Sequence, residues 1–215
     1  MAVDIKRRGY GYVYPFERIA AYAAIVAARY SDISQAKALD FGFGGGRHLK
    51  VLSDLGFECY GLDVNEDAID TTYYNFGKDF IARDRLTIDN ILEHEVYPDN
   101  YFDVILSVGV LWIRGYNQMI AFMDKLIPLI KADGYLIANF RTKFDDYYSS
   151  GEEISEGGKT VYVPRFENKW AFLDIDDLKE MANLYHLEIE KLERYERYYT
   201  KQRISYWEVI LKKSS

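Results

Sequence analysis

The chain has 215 residues, of which 49% are hydrophobic and 28% charged, which fits one globular domain with a sizeable core and excludes a disordered or collagen-like chain. Its formal net charge of -7 argues against a protein that grips nucleic acid through the phosphates, because such binding needs a basic face. The sequence contains no run of 18 apolar residues, so we predict no membrane-spanning helix. The segment MAVDIKRRGY lacks the apolar core of a signal peptide, so we expect a cytoplasmic protein.

The first half of the chain alternates helical and strand-like segments. Apolar residues at helical spacing predict a helix over residues 16–30, and the runs KALDFG, FECYGLDV and RLTIDNI predict three short strands. Between the first two strands, HLKVLSDLG predicts a helix that stops at Gly56. Asn65 is placed to begin a further helix after the second strand. The continuously apolar run YFDVILSVGVLW predicts a fourth strand that is buried on both faces.

The second half of the chain predicts a helix over residues 116–127, limited by Pro128, and a fifth strand at GYLIANF. Residues 141–172 are polar and predict an insertion, with a hairpin at KTVYVPRF. A helix over residues 174–185 follows, and LEIEKLERY and RISYWEVILKK predict two antiparallel strands. The pattern indicates an α/β fold with a doubly wound, mostly parallel sheet, an antiparallel C-terminal strand pair and helices on both faces.

The most informative segment is the glycine-rich turn LDFGFGGGRH at residues 39–48. Gly42 and Gly44 let the backbone approach a ligand closely. A dinucleotide fingerprint needs glycine where Arg47 stands, and the G-K-[ST] of a phosphate loop is absent. Asp40 at the strand end would repel a pyrophosphate and attract a cation. A nicotinamide-dependent dehydrogenase is therefore disfavoured.

This turn resembles the first motif of the class I S-adenosylmethionine-dependent methyltransferases, hydrophobic-D-x-G-x-G-x-G, which residues 39–46 match at every named position. Downstream, ECYGLDV with Asp63, LTIDNI with Asp89, PDNYFDVILSVGVLW and KADGYLIANF resemble the family's later motifs in order. The resemblance covers residues 36–140. It implies a seven-stranded Rossmann-like sheet, S-adenosylmethionine as cofactor and S-adenosylhomocysteine as product.

The resemblance also implies the cofactor site, in which Asp63 accepts the ribose hydroxyls and Asp89 or Asn90 reads the adenine. The predicted cofactor-binding residues are Asp40, Gly42, Phe43, Gly44, Gly46, Asp63, Val64, Asp89, Asn90, Ile91 and Ser107. The alternative that Asp40, Asp63 and Asp89 only cap their turns stays open. No two histidines have ligand spacing and Cys59 is the single cysteine, so we predict no metal site.

The acceptor is predicted from absences and from charge. The strand-four exit lacks a [DNS]-P-P-[YFW] motif and the chain lacks a Pro-Cys pair, which argues against methylation of nucleic-acid bases and, with the acidic charge, favours a small molecule. Cations and aromatic residues after strands four and five indicate an anionic acceptor such as a sugar, a nucleotide-sugar or an acid. The predicted substrate-binding residues are Tyr14, Trp112, Arg114, Arg141 and Lys143. Alternatively, these cations pair with local acids and hold the insertion shut.

The general base is left unknown, with His48, Asp145 and Tyr147 as the candidates. The predicted function is methyl transfer to an oxygen or nitrogen atom of a small anionic metabolite, with no nucleic acid or membrane as partner and a homodimer left open. The alternatives are a methyltransferase for protein side chains and a non-catalytic cofactor-binding scaffold subunit.

One methyltransferase domain is predicted to span residues 1–215. Its parts are an N-terminal lid and helix over 1–35, a cofactor-binding core over 36–140, an insertion over 141–172 that covers the acceptor, and a helix with a strand pair over 173–215.

Overall fold

The computed structural model describes residues 14–154 and 156–214, which form a mixed α/β fold. Within these ranges the helices are α1 (Glu17–Ala27), α2 (Arg47–Leu55), α3 (Ala68–Phe76), α4 (Tyr116–Leu129), α5 (Asp146–Ser150) and α6 (Ile175–Leu184). The strands are β1 (Lys37–Phe41), β2 (Glu58–Asp63), β3 (Leu86–Ile88), β4 (Phe102–Ser107), β5 (Ile130–Thr142), β6 (Glu152–Ile154), β7 (Thr160–Val163), β8 (Asn168–Leu173), β9 (Leu187–Tyr199) and β10 (Gln202–Lys213).

The sheet runs in the order β3-β2-β1-β4-β5, with all five strands parallel. Strand β10 lies antiparallel beside β5, and β9 lies antiparallel beside β10. The predicted fold class, with its antiparallel C-terminal pair, is therefore confirmed. The insertion adds β6, β7 and β8 to these seven strands, and β8 pairs in parallel with the end of β5 at Arg141 and Thr142.

Two apolar layers cover the sheet, one on each face. Ala38 of β1 belongs to the layer that includes residues of α1, α2 and α3, whereas Leu39 and Phe41 of the same strand belong to the layer that includes residues of α4 and α6. Burial on both faces explains why the parallel strands carry near-continuous apolar runs. The carboxyl ends of β1, β2 and β4 consequently meet at one edge of the sheet, where the glycine-rich turn begins.

Some segment boundaries differ from the predicted ones. Helix α4 continues through Pro128 to Leu129, and β4 ends at Ser107 because the chain turns at Gly109, which has a φ of +79°. The hairpin predicted at KTVYVPRF is confirmed: residues 160–163 form β7, the chain turns at residues 164–166, and β8 returns antiparallel to β7. Strand β6 pairs with the other edge of β7. No helix among the described residues is long and apolar enough to cross a membrane.

Candidate active site

The turn between β1 and α2 depends on glycine backbone geometry. Gly42, Gly44 and Gly46 have φ values of +79°, +51° and +79°, in the left-handed region that other residues rarely adopt. A Cβ atom on Gly42 would overlap Cγ2 of Val110, and one on Gly46 would lie 2.7 Å from Cγ2 of Thr72. The turn therefore has no room for side chains at Gly42 and Gly46 and presents bare backbone.

Asp63 fixes this turn from the end of β2. Its Oδ2 accepts the backbone N–H of Gly44 at 2.8 Å, and its Oδ1 accepts the backbone N–H of Asn65 at 2.8 Å. Thr72 of α3 supports the same turn by donating to the carbonyl of Gly44 at 3.2 Å. Because each carboxylate oxygen can accept two hydrogen bonds, Asp63 keeps acceptor capacity for a ligand.

A cleft of about 430 Å³ opens between the glycine-rich turn, the ends of β2 and β3 and the loop after β4. Eight of the predicted cofactor-binding residues line it: Gly42, Phe43, Gly44, Asp63, Val64, Asp89, Asn90 and Ile91. His48, which was considered as a base, lines it as well. The cleft volume lies within the range of small-molecule sites.

Sequence reasoning missed the remaining lining residues, which are Phe41, Gly45, Arg47, Leu62, Val108, Gly109, Val110, Ile113 and Phe122. Four of them lie next to predicted residues at the ends of β1 and β2, so extending those motifs by one position would have found them. Phe122 comes from the middle of α4, and only the packing of that helix brings it to the cleft.

Three of the predicted cofactor-binding residues, Asp40, Gly46 and Ser107, lie outside the lining of the cleft. Asp40 is 2% exposed and accepts a hydrogen bond from the backbone of Leu49 in the first turns of α2. Burial, with a further contribution from Asp63, raises the pKa of Asp40 to about 7. These contacts favour the capping role for Asp40.

The turn after β3 forms the neighbouring wall of the cleft. Asp89 Oδ1 accepts the backbone N–H of Asn90 at 2.6 Å and lies 2.6 Å from Nδ1 of His94. The hydrogen bond with His94 lowers the pKa of Asp89, and that with Asp89 raises the pKa of His94. The Asn90 amide donates to Glu93 at 2.6 Å, so both polar side chains at this turn are already held by local contacts.

His48 is poorly suited to act as a general base. It is 5% exposed, and its Nε2 accepts the backbone N–H of Phe16 at 3.2 Å. Burial, together with the nearby Arg47, lowers the pKa of His48 to about 3. The ring is therefore neutral near pH 7, and its acceptor nitrogen is already used.

Asp145 and Tyr147 are also poor candidates for the general base, because both are buried and neither lines the cleft. Asp145 Oδ2 accepts from Arg141 at 2.6 Å and from the backbone of Ser205 at 2.9 Å, while its Oδ1 caps α5 by accepting the N–H of Tyr147. The Tyr147 hydroxyl accepts from Arg165 at 3.3 Å. Both side chains are therefore engaged in structural contacts away from the cleft.

The predicted substrate-binding cations form local ion pairs instead of lining the cleft. Arg141 is paired with Asp145 and lies 4.5 Å from the ring of Trp112. Lys143 lies 2.8 Å from both Asp174 and Asp177. Arg141 and Lys143 therefore fit the alternative interpretation, in which these cations pair with local acids and hold the insertion shut.

The other three substrate-binding predictions also fall outside the cleft lining. Trp112 is buried against Trp170 of the insertion, with ring centroids 4.9 Å apart. Arg114 is exposed on the turn before α4. Tyr14 lines a different cavity, next to the start of α1. Among the described residues, no group of three or more His, Cys, Asp or Glu could hold a metal ion.

Comparison with known proteins identifies the family. A model of the methyltransferase domain matches residues 39–138, which span the sheet from β1 to β5 and include the glycine-rich turn and the walls of the cleft. The chain carries a methyltransferase domain. Relatives of this methyltransferase include the ubiquinone biosynthesis O-methyltransferases of Rickettsia bellii, 28% identical over 170 residues, and Rickettsia felis, 26% identical over 173 residues. The alignments cover 78% of this chain and 68% and 66% of the two relatives.

Solved structures share the fold of this methyltransferase. A methyltransferase from Methanosarcina mazei has a TM-score of 0.71 at 15% identity and covers 94% of this chain and 99% of its own. The 1,6-didemethyltoxoflavin-N1-methyltransferase of Burkholderia thailandensis, solved with S-adenosylhomocysteine, has a TM-score of 0.65 at 17% identity, covering 93% of this chain and 80% of its own.

Proposed function

We propose that this methyltransferase transfers the methyl group of S-adenosylmethionine to an oxygen atom of a small acceptor. The observation that carries the proposal is the cleft, in which bare glycine backbone, the Asp63 carboxylate and an apolar end formed by Val110, Ile113 and Phe122 share one cavity. The names of the Rickettsia relatives, which are O-methyltransferases, favour oxygen over nitrogen.

The residues of the cleft fit the cofactor. Gly42 and Gly44 present backbone to the cleft, and Asp63 has acceptor capacity left for the two ribose hydroxyls. Asp89 and Asn90 lie at the adjacent strand end, where the family reads the adenine. When bound, the cofactor supplies a methyl group on a positively charged sulfonium, which is a good leaving group.

The chain's own contribution to the reaction is to hold two molecules in line and to exclude water. The Oδ1 atom of Asn139 on β5 accepts the backbone N–H of Gly109 at 2.8 Å and so fixes the loop that borders the cleft. Val110, Ile113 and Phe122 make that end of the cleft apolar. Alignment of the reacting atoms supplies much of the acceleration of such a displacement.

The proposed acceptor is still a small molecule, but it is no longer expected to be strongly anionic. Arg141 and Lys143, which suggested a sugar, nucleotide-sugar or acid, are neutralised by carboxylates. The insertion stays the proposed acceptor lid, because it is fastened beside the cleft: the N–H of Ala171 donates to the carbonyl of Trp112 at 2.7 Å. The proposed N-terminal lid depends in large part on residues 1–13, which lie outside the described residues.

The test compares two glycines. Gly42 and Gly77 both have positive φ values, +79° and +87°, but a Cβ atom on Gly77 would meet nothing within 4 Å. Calorimetry should show S-adenosylhomocysteine binding to the wild type and to Gly77→Ala, loss of binding in Gly42→Ala, and no binding of NADH. Release of S-adenosylhomocysteine from S-adenosylmethionine with a panel of hydroxylated acceptors then measures turnover. Binding of NADH, or equal affinity in both variants, would contradict the proposal.

A further inference from the structure

Strand β9 forms one edge of the sheet. Of the strands in the described part of the chain, only β10 pairs with it, so one side of its backbone has no strand beside it. None of residues 188–199 is buried, whereas residues 207–211 of β10 all are. Tyr198 and Tyr199 are 71% and 52% exposed. A long strand with a free edge can accept a further strand through its N–H and C=O groups.

The regular part of this edge is symmetric about one residue. The pairing of β9 with β10 shifts between Ile210 and Leu211, which leaves Glu190 as an extra residue on β9. Residues 191–199 pair with β10 without interruption, as far as the two-residue turn between the strands. Tyr195 is the middle residue of this segment. A two-fold axis beside Tyr195 therefore matches the whole regular segment to a second copy of itself.

The backbone around Tyr195 has the geometry that such a pairing needs. In a hairpin with a two-residue loop, the closing pair, here Tyr199 and Gln202, exchanges hydrogen bonds, and so does every second pair after it. Tyr195 therefore directs its N–H and C=O towards β10, whereas Arg194 and Glu196 direct theirs towards the free edge. A second β9 placed antiparallel about Tyr195 brings Arg194 opposite Glu196 as a hydrogen-bonded pair.

The charged side chains are complementary in this register. Arg194 lies opposite Glu196 of the second copy and Glu193 lies opposite Arg197, and the two-fold axis repeats both pairs. Opposite charges that face each other across neighbouring strands stabilise the pairing of the strands, whereas like charges destabilise it. Four ion pairs of opposite sign would therefore form along the shared edge.

Arg197 and Glu193 are free to form the new pair. Arg197 forms no ion pair with the residues that the structure describes, and it donates only weakly, at 3.3 Å, to the hydroxyl of Tyr199. The side chain of Glu193 is 38% exposed, and its Oε2 accepts from Arg18 at 2.6 Å. Because each carboxylate oxygen can accept two hydrogen bonds, Glu193 can keep Arg18 and also receive Arg197 of the second copy.

Apolar and aromatic side chains complete the match. Leu192 lies opposite Tyr198 of the second copy, the aliphatic chain of Lys191 lies opposite Tyr199, and Tyr195 meets its own copy at the axis. Pairs of aromatic and aliphatic side chains across neighbouring strands stabilise a sheet. The two tyrosine rings that are exposed in the single chain would each gain such a neighbour.

Other symmetric registers of β9 are unfavourable. Charged residues on an edge strand ordinarily prevent edge-to-edge pairing, and a register centred on Glu193, Arg194 or Glu196 sets that residue against its own copy. A register centred on Leu192 sets Glu188 against Glu196. The register centred on Tyr195 alone uses all of residues 191–199, and in it every charged residue meets an opposite charge or a tyrosine.

We propose that this methyltransferase forms a two-fold symmetric homodimer in which the free edges of two β9 strands pair antiparallel about Tyr195 and join the two sheets into one. Both copies use the same surface, so the assembly closes at two chains. The inference concerns the surface of the molecule and does not depend on the proposed function.

A cysteine at the axis tests the register. The Cα atoms of a non-hydrogen-bonded antiparallel pair lie about 4.5 Å apart, within the reach of a disulfide, so Tyr195→Cys should form a covalent dimer under mild oxidation. Tyr198→Cys is the matched control: Tyr198 is 71% exposed, yet its two copies would be about 20 Å apart because each lies opposite Leu192. We expect Tyr198→Cys to form no more covalent dimer than the wild type, whose single cysteine, Cys59, is buried.

Charge reversal tests the same interface without a cross-link. Sedimentation equilibrium over a series of protein concentrations gives the dissociation constant of the dimer. Arg194→Glu sets a carboxylate against Glu196 on both sides of the axis and should raise this constant by about tenfold or more. The double variant Arg194→Glu/Glu196→Arg restores opposite charges and should recover the affinity of the wild type. Lys78→Glu, at an exposed position after α3, makes the same change in net charge and should dimerise like the wild type.

Three results would overturn the proposal. The first is a wild type that stays monomeric throughout the concentration series. The second is a dimer that Arg194→Glu does not weaken, or that the double variant does not restore. The third is covalent dimer formation by Tyr198→Cys that is as efficient as that by Tyr195→Cys.

Discussion

Replacing Asp40 by asparagine should make the stability of this methyltransferase less dependent on pH. The Asp40 carboxyl is 2% exposed, and its pKa is raised from 3.8 to about 7, first by burial and then by Asp63. The folded chain therefore binds this proton more tightly than the unfolded chain does. The corresponding stability is fully present below about pH 4 and is lost as the pH rises to about 7.

The size of the effect follows from the two pKa values. The interval from 3.8 to about 7, at roughly 1.36 kcal/mol per pH unit, corresponds to about 4 kcal/mol of unfolding free energy. The asparagine side chain would stay neutral at every pH, and its oxygen can still accept the hydrogen bond from Leu49. We therefore expect the two proteins to be equally stable near pH 4 and the variant to be the more stable by up to about 4 kcal/mol at pH 8.

Urea unfolding of both proteins at a series of pH values between 4 and 8 measures this difference. Other groups that titrate in this range, such as Glu208, are present in both proteins, and their contributions cancel when the two curves are subtracted. A difference in unfolding free energy that stays constant across the series would refute the reasoning. So would a variant that is the less stable protein at pH 8.

Three other substitutions separate binding, chemistry and stability. Asp63→Asn should weaken the binding of S-adenosylhomocysteine at least tenfold, as measured by calorimetry, because one carboxylate oxygen is replaced by an amide donor that faces an N–H group. Unchanged affinity would exclude Asp63 from the cofactor site. His48→Gln should leave the pH profile of kcat unchanged, since a neutral buried ring is no base, and a lost titration step would contradict this. Lys143→Met should lower the unfolding free energy by about 1 kcal/mol in urea titrations without changing cofactor affinity, because Asp174 loses its ammonium partner while Asp177 keeps Lys159.

The sheet was predictable because buried parallel strands carry a strong signal. A strand that is covered on both faces has little tolerance for polar residues, which is why YFDVILSVGVLW and GYLIANF mark β4 and β5. The insertion carries no such signal. Strand β6 has only three residues and two of them are glutamates, so its conformation depends on pairing with β7 and not on its own sequence.

Prediction of the site had a similar limit. Left-handed backbone at Gly42 and Gly46 requires glycine, so the turn is visible in the sequence. The alternative of local ion pairs predicted a partner such as Asp145 for Arg141, four positions away, but no local pattern shows that Lys143 is neutralised by Asp174, 31 positions away. The contact that disqualifies His48 as a base joins residues 32 positions apart, which no local pattern can show.

The Asp145 carboxylate has a consequence for biosynthesis. It joins Arg141 at the end of β5 and the first turn of α5 to the backbone of Ser205, which lies 60 positions further along the chain. During translation, the insertion emerges from the ribosome well before the strand that completes this carboxylate's set of partners. We therefore expect residues 141–172 of a nascent chain to remain open to proteases until β10 has been synthesised.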